Sequence, residues 1–403
     1  MVFDFPMRPS TPLCHQINLQ RQFGGGEVYT GFLSRALLEL GVPTRLYVHP
    51  EAHFWPDLLP AGIECVPVAN EADLPALLVA APPGWLLAHG GLAVATTEAL
   101  RQRMLTVAIC HMPRHQRDSA QYRAFDLVCG VSAYVIDGLR AAGVKVWEQA
   151  LFGVASTRDG PSGGGPSERP LYQALYQALY QGECYDWDRR KLRDRLFGLA
   201  YAVSAPLRRQ LARPIYHKRP GLTLGVVSRL TTIKQFPALF TALLPHLAQH
   251  GEVNIEIFGR GGYASVRDLR QVLAPLGARV RFWGHQQEVA SVYAQLDYLL
   301  TGLPEQEALG LNVIEAQACG LPVLAVAAPP FSETVLDGQT GYLYTDPRLD
   351  QGAAFNDLLD GLLSGQRPRP IPALAVEHLQ RFTAEAFTAR LGHLLAHLAI
   401  LRP

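Results

Sequence analysis

The chain has 403 residues, of which 48% are hydrophobic and 18% are charged, and its formal net charge is +1. Nothing in this overall charge balance suggests a nucleic-acid-binding protein, and the length favours two or three domains. No apolar run reaches the ~20 residues of a membrane span. Residues 1–10 also lack the basic start and apolar core of a secretory signal.

The six cysteines are scattered along the chain without a C-x-x-C pair, and several lie in apolar, strand-like runs. This distribution is typical of buried free thiols. We therefore expect a cytoplasmic protein in a reducing compartment, with at most a peripheral contact to a membrane surface.

Three consecutive glycines separate the first predicted strand from the first predicted helix. Gly24, Gly25 and Gly26 follow a strand near 16–19, and the helix has an apolar stripe at positions 28, 32, 33, 36, 37 and 40. Glycines allow positive φ and a close backbone approach by a ligand. A purely structural turn explains the same pattern, so the glycines alone leave both interpretations open.

Further apolar strands are predicted in the first half at 85–88, 106–110, 127–130 and 146–154. His111 directly follows one of them, and His89 ends another. Open α/β sheets bind ligands at the carboxyl ends of their strands. A lone histidine is most often a structural group, so it is the position that makes His111 a candidate. The loop that follows is basic because it contains Arg114, His115 and Arg117. It is either solvated or in contact with an acceptor.

Residues 156–219 differ in composition from the rest of the chain. A Gly- and Pro-rich stretch precedes the repeat LYQALYQALYQ (171–181), whose tyrosines and leucines recur every four residues and indicate a packed helix. Between Arg189 and Arg219 there are ten Lys or Arg residues and one acid. A basic amphipathic helix here fits either a solvated face or an anionic membrane surface. Its apolar face would be formed by Leu192, Leu196, Leu199 and Val203.

The second half begins with a predicted strand, LTLGVVS (222–228), and a tight loop that Arg229 and Lys234 flank. Two cations at the carboxyl end of a strand can neutralise a diphosphate, the arginine through its planar fork and the lysine as a point charge.

An acidic loop follows the next predicted strand, 296–300, and precedes a helix over 311–319 and a strand over 323–326. Glu307 in the loop and Glu315 in the second helical turn can each accept hydrogen bonds from sugar hydroxyls. Backbone amides at the start of this helix would be free to point at an anion. These amides belong to Gly310, Leu311 and Asn312.

Segment 307–325, EALGLNVIEAQACGLPVLA, resembles the E-x7-E segment of retaining family 4 glycosyltransferases, which have the GT-B fold. The R-x4-K spacing of Arg229 and Lys234 is similar to the pair that binds the donor pyrophosphate in that family. VAICHMP (107–113) is similar to its strand-end histidine. The chain departs from the family with Ala308 and Leu309 in place of Pro and Phe, and with Phe-Gly-Val-Ala in place of Asn-Gly-Val-Asp at 152–155.

The resemblance implies a transferase that takes a UDP- or GDP-activated sugar as donor and a glycan or glycolipid as acceptor, with no cofactor and no metal. Arg229, Lys234 and the Gly310–Asn312 amides would bind the pyrophosphate, and Glu307 the sugar hydroxyls. The other implied contacts are Gly24, Gly25 and Gly26 at the phosphate and acceptor, His111 at the donor sugar, Glu315 at the ribose, and Gly259, Gly284 and His285 around the base.

The tripeptide at 186–188, Asp-Trp-Asp, has the D-x-D spacing of a metal motif from a different glycosyltransferase fold. In that fold the motif stands at the end of a strand, whereas here it precedes a polar helical stretch. We therefore interpret the tripeptide as a chance match and as an N-terminal helix cap.

Alternating strand and helix signals in both halves predict an α/β protein of the GT-B type, with two doubly wound Rossmann-like domains facing each other across a cleft. We predict an acceptor-side domain at 1–155, an insertion or linker with a basic helix at 156–219, and a donor-binding domain at 220–385. Residues 386–403 are predicted to form a helix that returns to the first domain.

Other functions fit part of the same pattern. A different GT-B enzyme, such as a nucleotide-sugar epimerase or a phosphorylase, would bind a similar donor, but the epimerase needs no acceptor and the phosphorylase needs inorganic phosphate. A non-catalytic glycan-binding or membrane-associated scaffold would keep the fold without binding a nucleotide. Both acids and both cations are present in this chain, which favours an enzyme.

Overall fold

The computed structural model describes residues 12–113, 118–155, 184–186, 192–203, 216–286 and 288–401. The chain divides into two compact units, the first formed by residues 1–155 and 380–403 and the second by 156–379. Three sequence predictions lie outside the described residues: the basic loop at 114–117, the repeat at 171–181, and the last two residues of the D-x-D tripeptide, Trp187 and Asp188.

The first unit is built on a parallel sheet. Its strands are β1 (Leu13–Asn18), β2 (Thr44–Val48), β3 (Glu64–Pro67), β4 (Gly84–His89), β5 (Leu105–Cys110) and β6 (Leu127–Gly130). Within the described residues the sheet has six strands in the order β3-β2-β1-β4-β5-β6. The helices between them are α1 (Gly25–Glu39), α2 (Trp55–Leu58), α3 (Leu74–Val79), α4 (Val94–Arg101), α5 (Ala120–Arg123) and α6 (Ala133–Ala141).

The second unit contains a second parallel sheet. Its strands, with a separate two-strand pair, are β7 (Tyr185–Asp186), β8 (Leu222–Val227), β9 (Val253–Phe258), β10 (Gly261–Gly262), β11 (Val280–Gly284), β12 (Tyr298–Leu300), β13 (Val323–Val326) and β14 (Gly341–Tyr344). In the described part of the chain the main sheet has the order β11-β9-β8-β12-β13-β14, and β7 pairs with β10. The helices are α7 (Leu192–Val203), α8 (Phe236–Gln249), α9 (Tyr263–Leu273), α10 (Val289–Tyr293), α11 (Leu311–Ala318), α12 (Phe331–Thr334), α13 (Ala353–Leu363) and α14 (Val376–Gln380).

The C-terminal helix, α15 (Ala384–Leu401), completes the first unit by packing on α1. Its Phe387 ring lies 5.6 Å from the Tyr29 ring and 5.2 Å from the Phe32 ring, both in edge-to-face orientation. Aromatic pairs favour this geometry, and all three rings are buried. The apolar stripe of α1 that is visible in the sequence is therefore covered partly by a helix from the far end of the chain.

The two sheets share one topology. In each, the first strand in the chain lies between the second and the fourth, so that the connections leave the sheet in opposite directions at β1/β4 and at β8/β12. This is the Rossmann strand order, in which a crevice opens outside the carboxyl ends of those two strands. β5, an inner strand of the first sheet, is buried at every position.

The structure corrects one local prediction. The strand predicted at 146–154 is wrong: Val146 forms only an isolated bridge with Val128. Single backbone hydrogen bonds join this stretch to β6, from Val128 N to Lys145 O at 3.0 Å, from Trp147 N to Val128 O at 2.7 Å and from Leu151 N to Gly130 O at 3.0 Å. Asp186 of the D-x-D tripeptide lies in β7 and pairs with Gly262 of β10, and the rest of the tripeptide predicted to cap a helix lies outside the described residues.

All six cysteines, each of them within the described ranges, are free thiols. No described helix combines the length and the apolarity that crossing a bilayer requires. Two of the cysteines, Cys14 and Cys129, are fully buried in strands of the first unit. Burial raises the pKa of both thiols, so they remain protonated at neutral pH.

Close backbone packing fixes the turn between β9 and β10. A Cβ atom on Gly261 would lie 1.9 Å from the carbonyl oxygen of Leu230, whereas one on Gly262 would meet nothing within 4 Å. Leu230 N in turn donates to Arg260 O at 2.8 Å. The loop after β8 is thereby held against the turn after β9, and the glycine at 261 is required for this approach.

We predict that Gly261→Ala lowers the free energy of unfolding by about 2–3 kcal/mol, because the backbone must move to admit the methyl group. Gly262→Ala, with open space around it, is the matched control and should change stability by no more than about 0.5 kcal/mol. Urea denaturation measures both. Equal stability of the two variants would contradict the close approach.

Candidate functional site

An ion pair joins the carboxyl ends of β8 and β12. Lys234 closes the short 3-10 turn Thr232–Lys234 after β8, Glu307 lies in the loop after β12, and the Lys234 ammonium donates a hydrogen bond to the Glu307 carboxylate. The two side chains are only 19% and 15% exposed. The backbones also meet: Leu303 N donates to Lys234 O at 3.2 Å, and a Cβ on Gly302 would lie 2.1 Å from that oxygen.

A second polar cluster holds the same acidic loop. Gln235 Nε2 donates to Glu305 Oε2 at 2.8 Å, and Arg348 bridges Glu305 to Asp346. Burial tends to raise the pKa of the Glu305 carboxyl, but hydrogen bonds from Arg348, from the backbone amide of Glu305 and from Gln235, together with the positive charge of Arg348, outweigh burial and lower the pKa overall. Sequence analysis missed Gln235, Asp346 and Arg348. The sequence offered a signal only for Gln235, because it is adjacent to Lys234. Asp346 and Arg348 lie after β14, so no sequence neighbour pointed to them.

The start of α11 lies beside this loop. Gly310 has φ 81° and ψ 66°, a left-handed conformation that favours glycine, and it precedes the first helical residue. Among the described residues, the amides of Gly310, Leu311 and Asn312 donate to no backbone oxygen. Asn312 Nδ2 donates to Val227 O at 3.0 Å, so its side chain ties the helix start to the last residue of β8.

Glu315 lies one turn further along α11 and faces Tyr293 of α10. Burial raises the pKa of the Glu315 carboxyl to about 8, against the opposing effect of a hydrogen bond from Tyr293. At neutral pH this carboxyl is therefore largely protonated and can donate as well as accept a hydrogen bond. The neutral state removes the cost of an unpaired buried charge.

The structure does not bring Arg229 into contact with Lys234 or Glu307. Among the described residues Arg229 forms no hydrogen bond or ion pair, and it is exposed just after β8. Its charge acts on Asp186 of β7. Burial raises the pKa of the Asp186 carboxyl, and the positive charges of Arg260 and Arg229 oppose that shift.

The candidate residues at the ends of β9 and β11 are in contact with each other. Gly259 N donates to Gly284 O at 2.7 Å, and both glycines have positive φ, 138° and 70°. A Cβ on Gly259 would lie 1.8 Å from Ser228 O, so the ends of β8, β9 and β11 are packed backbone to backbone. His285 follows β11 and is partly buried.

The first unit gathers its candidates at the carboxyl ends of β1, β4 and β5. Gly24 precedes α1, Gly25 and Gly26 form its first turn, and the position of a Cβ on Gly26 has open space around it. Thr30 Oγ1 donates to Gly26 O at 2.9 Å and lies 3.1 Å from Nδ1 of His89. His89 Nδ1 is also 3.1 Å from His111 Nε2.

Both histidines are uncharged at neutral pH. Burial lowers the pKa of His89 well below its usual value, with a further contribution from the neighbouring His111, and burial lowers the pKa of His111 to about 4. The sequence signal for this cluster was the set of polar residues in an otherwise apolar strand, β1, where Gln16 and Asn18 are both buried. Sequence analysis did not use that signal.

Comparison with known proteins assigns part of the chain. Residues 221–363 match the family described as "Glycosyl transferases group 1". A D-inositol 3-phosphate glycosyltransferase from Mycobacterium marinum is 32% identical over 203 residues, which are 47% of this chain and 42% of that protein. The chain spans less than half the length of the curated relatives it matches. The matched family segment contains Lys234, Glu307 and all of α11.

Solved structures match almost the whole chain. HepE from Anabaena, in complex with UDP and glucose, gives a TM-score of 0.68 at 17% identity and covers 96% of this chain and 100% of its own. The pneumococcal O-GlcNAc transferase GtfA, in complex with UDP and GlcNAc, gives 0.64 at 12% identity, with 98% and 100% covered. Such identities establish the fold alone. The predicted fold class, two Rossmann-like α/β domains of the GT-B type, is confirmed.

The raised pKa of Glu315 has a consequence for stability. Between its usual value of 4.5 and the folded value of about 8, the folded protein holds a proton that the unfolded chain has lost. Stability is therefore greatest below pH 4.5, as far as this group is concerned, and is lost as pH rises through 8.

We predict that Glu315→Gln, which cannot ionise, removes this dependence. Relative to the unmodified protein, the variant should gain on the order of 3 kcal/mol of unfolding free energy between pH 5 and pH 8.5. Urea denaturation at the two pH values gives the difference, and the other titrating groups cancel in it. A difference that does not vary with pH would show that the carboxyl is ionised in the folded protein.

Proposed function

We propose that this protein is a retaining glycosyltransferase that moves a sugar from a nucleotide-diphosphate sugar to an acceptor hydroxyl. The observation that carries the proposal is the Lys234–Glu307 ion pair at the switch point of the second sheet. It stands beside the free amides at the start of α11, inside the segment that matches the group 1 glycosyltransferases. The Lys234 cation and the amides can bind a diphosphate, and the Glu307 carboxylate can bind the hydroxyls of a sugar attached to it.

Each group has a role that follows from its chemistry. Lys234, Arg229 and the amides of Gly310, Leu311 and Asn312 stabilise the negative charge that develops on the departing diphosphate. Glu307 accepts hydrogen bonds from sugar hydroxyls when Lys234 turns to the phosphate. Glu315 holds the ribose hydroxyls, and the backbone around Gly259, Gly284 and His285 borders the base.

The first unit contributes the acceptor side in this proposal. The Gly24–Gly26 amides and His111 contact polar groups of the substrates. Retention at the anomeric carbon follows if the acceptor attacks from the face that the diphosphate leaves, with no enzyme nucleophile. The oxygen that departs with the diphosphate then takes up the acceptor proton.

The donor is proposed to carry UDP. Two structures that share the fold, HepE and GtfA, were solved with UDP and a sugar. The acceptor is proposed to be a glycan or a glycolipid, because both offer hydroxyls to an enzyme of this kind. An epimerase or a phosphorylase remains a weaker candidate, since no described feature specifically favours either.

We predict that Lys234→Ala weakens UDP binding about 10-fold, as the loss of a charge-assisted hydrogen bond to phosphate would. UDP release from UDP-glucose without an acceptor should fall ~10²–10³-fold, because this cation acts mainly on the charge that develops as the bond breaks. Titration calorimetry and a UDP-release assay measure the two quantities. Glu307→Gln should lower UDP release while leaving UDP affinity within about 3-fold.

Lys218→Ala is the matched control. Lys218 also pairs with an acid, Asp297, at 2.5 Å, but this pair precedes β8 and β12 and so lies at the opposite edge of the same sheet. The variant should leave UDP binding and UDP release unchanged. If Lys234→Ala behaves as Lys218→Ala does, the proposed site is wrong; if UDP-glucose is interconverted without UDP release, the enzyme is an epimerase.

We also propose that α7 rests on an anionic lipid surface, which would suit a glycolipid acceptor. Leu192, Leu196, Leu199 and Val203 recur at helical spacing and are 61–74% exposed. The surrounding sequence, 189–219, holds ten Lys or Arg residues and one acid. An apolar stripe in a basic segment is the pattern of helices that lie in a membrane interface.

We predict that the protein floats with vesicles containing about 30% phosphatidylserine and remains unbound with pure phosphatidylcholine, since the attraction is partly electrostatic. Leu196→Ser combined with Leu199→Ser should abolish flotation without changing UDP affinity. Flotation of the double variant, or equal flotation with charged and uncharged vesicles, would contradict a role for α7.

A further inference from the structure

The two histidines of the first unit are joined directly. His89 ends β4, His111 follows β5, and Nδ1 of His89 lies 3.1 Å from Nε2 of His111. The ring planes are 7° apart with centroids 5.3 Å from each other, which fits an in-plane N–H···N bond. One ring nitrogen must donate and the other accept, so at most one of these two atoms carries a proton.

Gln16 decides which atom that is. Gln16 Nε2 donates to Ser34 Oγ at 2.9 Å, and its Oε1 lies 3.1 Å from Nε2 of His89. An amide oxygen can only accept, so His89 carries its proton on Nε2. Gln16 and Ser34 are fully buried. In a neutral ring the remaining nitrogen of His89, Nδ1, is then an acceptor.

Thr30 does not reverse this assignment. Its hydroxyl proton is directed to Gly26 O at 2.9 Å, and its oxygen accepts a hydrogen bond from Asn18 Nδ2 at 2.9 Å. The proton between the two rings must therefore come from His111. A neutral His111 that donates through Nε2 has no proton on Nδ1. Among the described residues, that nitrogen has no hydrogen-bond partner.

We propose that Gln16, acting through His89, holds His111 in the Nε2–H tautomer, so that His111 Nδ1 is an acceptor for a substrate hydroxyl. Gln16 and His89 are positioning residues in this arrangement, and His111 is the group that touches substrate. The chemical purpose of the device rests on the proposed function. The tautomer itself does not, and it can be observed without any substrate.

The tautomer carries a specific benefit. A neutral imidazole that was free to exchange its two tautomers would offer Nδ1 as an acceptor only part of the time. Fixing Nδ1 as an acceptor selects a hydroxyl that donates, and the substrate does not have to reorganise the ring. The link from Thr30 to Gly26 joins this cluster to the glycine loop, so loop and histidine are held by one buried network.

The test is a long-range ¹H–¹⁵N NMR spectrum of the full chain labelled in histidine, with the His111 signals identified by their loss in His111→Asn. The expected result is a protonated Nε2 and an unprotonated Nδ1 on His111 at pH 7. A proton on Nδ1, or a mixture of both tautomers in the unmodified protein, would overturn the proposal without any other variant.

A substitution at Gln16 tests the relay. Gln16→Met removes the acceptor for His89 Nε2–H and should convert His111 to a mixture of tautomers. Turnover of UDP-glucose should fall about 10-fold in Gln16→Met, as loss of one well-oriented hydrogen bond would cause. UDP affinity should stay within about 2-fold.

The outcomes separate this inference from the proposed function. If the unmodified protein neither binds UDP nor releases it from UDP-glucose, the function is wrong whatever the tautomer. If UDP-glucose is turned over but Gln16→Met leaves the His111 spectrum unchanged, the function stands and the relay through Gln16 is wrong.

Discussion

The contact between the loops after β8 and β12 is the constraint on which the second unit's candidate site depends. The sheet diverges between these strands, so their loops leave in opposite directions and a crevice opens at their ends. The Lys234–Glu307 ion pair and the backbone contact at Gly302 hold the loops together there. Because both side chains are largely buried, removal of one would leave the other as an uncompensated charge.

Polar groups around this contact keep it in place without belonging to the ion pair. Arg348 and Gln235 hold Glu305, and Asn312 ties the start of α11 to the end of β8. Such supports fix the positions of the cation and the amides before a ligand arrives. Preorganised charges of this kind need not rearrange during a reaction, which is the main way that enzymes stabilise charge in a transition state.

The first unit has the same strand topology, but the polar groups at its crevice are uncharged. Its crevice residues are Gln16, Asn18, Thr30 and two histidines that burial keeps neutral. A buried polar network is favourable only when each member finds a partner, and these side chains satisfy one another. The charged crevice suits a diphosphate, and the neutral one suits hydroxyl groups. The division of labour in the proposed function rests on this difference.

The sequence by itself determined the α/β fold class, because apolar periodicity is a local property of the chain. Motif spacing, which is also local, indicated Lys234, Glu307 and Gly310–Asn312 as candidates, and the structure places them at the carboxyl ends of neighbouring strands. The tertiary structure decided which distant residues pair with one another. Arg348 lies 43 residues from Glu305, and Gln16 lies 73 from His89. No local pattern encodes such pairings; they follow from strand order. The same reason explains the wrong strand at 146–154, where single hydrogen bonds at the edge of the sheet take the place of a strand ladder.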